Sequence, residues 1–121
     1  MGTDYYTKLI YGINLGNTEE EMKNSPWIQD GYGEEGQWKW EKEILPKEFP
    51  LLRLETSGYE GFSYFEYVLG HIVLERDDWE NQPYVPAIGI EPKILDELKR
   101  FQEKYKLEHL LPGFLLTCYV G

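Results

Sequence analysis

Polar and apolar residues alternate over positions 5–13, where Tyr5, Thr7, Leu9, Tyr11 and Ile13 share one side and Lys8 lies on the other, ahead of Asn14. A period of two predicts a half-buried strand, because successive side chains of an extended chain point to opposite faces. Thr18 and Glu21 stand three apart, the spacing at which a hydroxyl and a carboxylate satisfy each other's free amides at a helix start. Ser25-Pro26 is expected to end that short helix within two turns.

Residues 51–56 and 62–75 read as two more strands, and the glycines in the loop at 57–61 make them a hairpin. Gly70, inside the second strand, is expected to mark a bulge. The clearest helix starts near Glu91 with Pro92 in its first turn; Ile94, Leu98, Phe101 and Tyr105 recur at spacings of four, three and four, and Leu95 widens the stripe. Across from that stripe, Lys93 with Glu97, Asp96 with Arg100 and Lys99 with Glu103 are expected ion pairs. The apolar run at 114–120 reads as a last strand.

Between these elements, residues 30–50 combine Gly31, Gly33, Gly36, Pro46 and Pro50 with charged and aromatic side chains, so a partly irregular excursion is expected. Within it Trp38 and Trp40 alternate with Lys39 and Glu41, as in a short edge strand. Residues 76–86 read as a solvated connection. The order predicts an α+β fold over residues 1–121: a single mainly antiparallel sheet of about four or five strands packed on one amphipathic helix, with a short N-terminal helix.

Composition supports a folded chain. Of its 121 residues 32 are Leu, Ile, Val or Phe, enough for a core despite 22 acidic against 12 basic residues and a net charge of −10. The single cysteine, Cys118, lies among Leu115, Leu116, Tyr119 and Val120, which predicts a reduced, buried thiol and a cytoplasmic protein. The chain starts without a basic, apolar leader and nowhere holds about 18 uninterrupted apolar residues, so a soluble protein without membrane attachment is expected.

The charge is unevenly placed. Residues 17–48 hold nine acids and four bases, residues 55–80 seven acids and one base, and residues 91–108 five of each. A negative face built from the first two segments would repel phosphate, which argues against direct nucleic-acid binding. It would speed encounter with a basic protein, including a nucleic-acid-binding one. Tyr32, Trp38, Trp40 and Tyr59 lie in or beside these segments, and aromatics supply contact area at low entropic cost.

The remaining motifs carry less. Gly31-Tyr32-Gly33-Glu34-Glu35-Gly36 matches the dinucleotide spacing but follows no strand, and its two glutamates would face an anionic ligand. Asp77, Asp78 and Glu80 do not have calcium-loop spacing. Neither His71 nor His109 belongs to a metal-binding spacing. Glu55, Glu60 and Glu66 flank the hairpin turn, where two carboxylates in one pocket would act as acid and base.

The expected function is therefore that of a small acidic interaction protein binding a basic partner, as an inhibitor or nucleic-acid mimic, through Tyr32, Glu34, Glu35, Trp38, Trp40, Tyr59, Glu60, Asp77, Asp78 and Glu80. No catalytic residue, metal or cofactor is expected. In size, charge and aromatic content the chain is similar to small phage or mobile-element accessory proteins. The alternative is a small-ligand-binding domain with a concavity near Trp38, Trp40 and Tyr59, and a third reading is a carboxylate-based enzyme. A homo-oligomer would form if a second copy capped the edge near Trp38 or at 114–120.

Overall fold

A computed structural model describes residues 5–16, 22–59, 65–77 and 89–120. Within these residues four strands, β1 (Tyr5–Gly16), β2 (Arg53–Tyr59), β3 (Phe65–Asp77) and β4 (Gly113–Val120), combine with the helices α1 (Pro26–Gln29), α2 (Gln37–Glu43), α3 (Leu45–Glu48) and α4 (Pro92–Lys104). The sheet is antiparallel in the order β4-β1-β3-β2. The expected α+β architecture is thus observed.

The sheet coils strongly. Three antiparallel pairings in series would leave β2 and β4 antiparallel if the sheet were flat, yet they meet in parallel through Gly58 with Tyr119 and Tyr59 with Val120. A row of glycines crosses the sheet, Gly113 beside Gly12 beside Gly70, with Arg53 next to Gly70. At its centre the backbones nearly touch: a Cβ added to Gly12 would lie 2.0 Å from the Leu69 carbonyl oxygen, and one on Gly70 would lie 2.3 Å from that of Tyr11. Gly70 is therefore a point of close approach. The expected bulge falls instead at Val73, between the pairs Leu9 with Leu74 and Ile10 with Ile72.

Coiling buries the sheet on both faces. Tyr11, Ile13, Leu15, Leu54, Tyr67 and Leu69 belong to the cluster under the helices, as the alternation of β1 implies. Ile10, on the opposite face of β1, is also fully buried, together with Val68 and Thr117. Over this inner face the Lys8 ammonium reaches past β3 to the Glu55 carboxylate at 2.9 Å.

α4 matches its predicted stripe: Ile94, Leu98, Phe101 and Tyr105 are buried. Leu95 is not part of the buried face, being 41% exposed. The ion pairs differ from those expected. Glu97 turns inward, accepts the Leu51 amide at 2.7 Å and pairs with Arg100 three residues on, while Lys104 bridges to Glu48 at 2.7 Å. A buried carboxylate needs such donors, and tethering the residue 50–52 turn supplies one.

One local expectation is corrected. The segment holding Trp38 and Trp40 is helix α2, because spacing of four dominates: Gln37 donates to Glu41 at 2.8 Å, and Trp40, Ile44 and Leu45 lie toward the core. Ser25-Pro26 also opens helix α1, since proline's missing amide costs nothing at the first helical position; helical Met22 and the turn at 23–24 come just before it. The Thr18 and Glu21 spacing lies outside the described residues.

One carboxylate joins three elements. Asp30, just after α1, accepts from the Trp40 indole at 2.9 Å and from the Tyr105 hydroxyl at 2.6 Å. Around it Trp27, Trp40, Phe101 and Tyr105 form edge-to-face and tilted ring contacts, and Phe49 packs on Phe101 at 4.9 Å. Burial, then the bond to Asp30, push the Tyr105 phenol well above its ordinary 10.0. The fold therefore holds the protonated phenol: this contribution is complete below about pH 10 and is lost as pH rises above it. Tyr105→Phe should cost about 2 kcal/mol at neutral pH and flatten the alkaline loss of stability, both read from urea melts at stepped pH.

Candidate functional site

The expected surface is only partly assembled. Trp40 is fully buried and bonded to Asp30, so it cannot touch a partner. Trp38, on the other side of α2, is 65% exposed, with the Lys42 ammonium 3.5 Å from its ring centroid. Glu34 and Glu35 are exposed in the preceding turn. Tyr32 is half-buried and donates to Glu43 at 2.8 Å, and that bond, more than burial, raises its phenol pKa. Tyr59 ends β2 and Asp77 ends β3, while Glu60, Asp78 and Glu80 lie outside the described residues.

Of the carboxylates considered for acid and base roles, Glu60 lies outside the described residues, and neither Glu55 nor Glu66 lines the recess at Glu41 or the cavity at Ser25. Glu55 is paired with Lys8, and Glu66 accepts from Asn14 at 3.4 Å. A shallow recess of about 120 Å³ lies among Glu41, Leu45, Pro46, Pro50, Leu52 and Arg53. There burial, then the nearby Glu55 charge, raise the Glu41 carboxyl above its ordinary 4.5. Among the described residues no group of His, Cys, Asp or Glu is arranged to hold a metal ion. None of their helices is long and apolar enough to cross a membrane.

The expected buried thiol is corrected as well: Cys118 is exposed. Thr117 takes the inward position on β4, so alternation turns the next side chain out. His71 instead has a structural role, its Nδ1 donating to the Leu51 carbonyl at 2.9 Å.

A larger cavity, about 460 Å³, opens where the end of β1 meets α1 and the turn after α4. Its described lining includes apolar Leu15, Met22, Pro26 and Leu107, together with Ser25, Gln29, Lys106 and His109. Neither Trp38 nor Trp40 is part of it. The Ser25 hydroxyl is the buried side-chain polar atom left without a hydrogen-bond partner among the described residues. Gln29 spends its amide group on the Asn24 and Tyr105 carbonyls, at 2.6 and 3.0 Å, which leaves its own oxygen as an acceptor.

The opposite wall is a tight helix exit. Buried Gln102 donates to the Leu107 and Leu110 carbonyls, at 3.0 and 2.8 Å, and pins the chain as it leaves α4. Lys106 sits there with φ 58°, the one non-glycine residue at positive φ among those described. A side chain in that region costs of order 1 kcal/mol relative to glycine. An orphan hydroxyl and a strained lysine therefore face one space.

Nothing in the spacing of residues 22–29 and 105–109 announces this cavity, because its walls come from segments some 80 residues apart. Removing an unpaired buried hydroxyl relieves its desolvation, so Ser25→Ala should raise the stability of the free protein by about 1 kcal/mol in a denaturant melt. A loss of that size would show that the hydroxyl is bonded. Comparison of the chain with protein families, with curated proteins and with solved structures finds no match.

Proposed function

We propose that this chain is a small-ligand-binding domain whose site is the cavity at Ser25. The observation that carries the reading is the unpartnered, buried Ser25 hydroxyl on the wall of a space of about 460 Å³, within the size range of ligand pockets. The described rim contributes Lys106 and His109 and no carboxylate. The apolar wall suits the body of a small molecule. Lys106 suits an anionic group on it, and Ser25 with the Gln29 oxygen suits its hydroxyl or amide.

The test is a thermal-shift screen of small aryl and alkyl carboxylates against their neutral amides. A carboxylate at a hundredfold excess over its Kd should raise Tm by roughly 10 °C. Lys106→Gly should stabilise the free protein by about 1 kcal/mol, as glycine relieves the positive φ, yet lower carboxylate affinity at least tenfold. No shift with any carboxylate, or equal shifts in Lys106→Gly, would overturn the reading.

A second reading rests on Trp38, which stays 65% exposed beside Glu34 and Glu35. This surface suits a basic protein partner, held by ring contacts with Arg or Lys and by the flanking carboxylates. An inhibitor or nucleic-acid mimic would use it to occupy a basic groove. Pull-down at low and high salt tests it: capture should weaken as salt rises and fall at least tenfold in the triple variant Glu34→Gln, Glu35→Gln, Trp38→Ala. Capture that ignores both changes would remove this reading.

A further inference from the structure

The outer edge of β4 offers backbone groups, apolar side chains and no charge in one place. We infer that a second copy of this chain pairs with it, antiparallel, about a two-fold axis at Leu115.

The backbone geometry supplies the first step. The Cys118 amide donates to the Ser57 hydroxyl at 3.2 Å, and that hydroxyl lies 3.4 Å from the Cys118 carbonyl oxygen. Both main-chain groups of Cys118 therefore point away from β1. In a strand these directions alternate, so the N–H and C=O of Leu116 and of Phe114 leave on the same side as those of Cys118. Pairing of β2 with β4 begins only at Tyr119. Among the described residues no strand covers the edge at Phe114 and Leu116.

The side chains agree with the backbone. Phe114 is 51% exposed, Leu116 is 70% exposed, and Leu111, just before the strand, is 90% exposed. Folded proteins usually protect such an edge with lysine, other charges or proline inside the strand. Here none of residues 109–121 is Asp, Glu, Lys or Arg, although 34 of the 121 residues in the chain are.

Symmetry then fits a second copy to this edge, and the strand's lack of charge permits it. Two copies carrying −10 each repel, and the uncharged strand is where that repulsion is least. Antiparallel pairing of identical strands has a two-fold axis. Centred on Leu115, it sets Phe114 of one copy against Leu116 of the other and returns the contact. Each copy then satisfies the N–H and C=O of both residues, and the two sheets become continuous.

Sedimentation of the purified chain over a range of concentrations, at low and high salt, tests this. A dimer is expected, and its Kd should fall several-fold as salt screens the net charge. Leu116→Lys and Phe114→Lys, each at an exposed position, should sediment as monomers with unchanged circular dichroism. A wild-type monomer under every condition overturns the inference. So does a dimer that salt weakens, or one that forms as tightly in both lysine variants, since the contact would then lie elsewhere.

Discussion

Gly12 and Gly70 pass each other so closely that neither position has room for a side chain on the inner face. A Cβ on Gly12 would meet the Leu69 carbonyl and the Gly70 Cα, at 2.0 and 2.6 Å. This contact lets the sheet coil instead of lying flat, and the coil explains features that a flat sheet would not have. It brings β2 around to β4 in a parallel pairing, sets the Ser57 hydroxyl against Cys118, and carries Glu55 within 2.9 Å of Lys8 across β3. It also buries Ile10, Val68 and Thr117 on a face that would otherwise be solvated.

Many of the acids serve the fold. Asp30 holds Trp40 and Tyr105, Glu97 holds the turn at Leu51, Glu43 accepts from Tyr32, and Glu48 and Glu55 are paired with lysines. A net charge of −10 is therefore a poor guide to a recognition surface. Charge bears more on association: the acidic body repels a second copy, and that repulsion is least at the uncharged β4.

Elements with a clear period were legible in the sequence. The strand at the N-terminus, the strand pair β2 and β3, α4 and β4 all occur near their expected positions, because long apolar patterns reflect burial directly. Trp38 and Trp40 misled because two aromatics two residues apart fit a strand and also fit a helix that buries one and exposes the other. Ser25-Pro26 marked a boundary, and the same proline also opens α1, where its missing amide costs nothing. β4 was found, but its apolar run gave no sign that Phe114, Leu116 and Cys118 face outward, since that depends on which neighbours cover the strand. The cavity was illegible for a similar reason: its walls are joined only by tertiary packing.

The coil at the glycine row can be tested with three alanine variants, because Gly113 occupies the same row with nothing within 4 Å of its Cβ position. Stability from urea melts of Gly12→Ala, Gly70→Ala and Gly113→Ala is the direct measurement. The first two are expected to lose about 3 kcal/mol, the upper part of the range for overpacking, and the third to stay within about 0.5 kcal/mol of the parent. Equal stability in all three would contradict the close crossing and, with it, the coiled sheet.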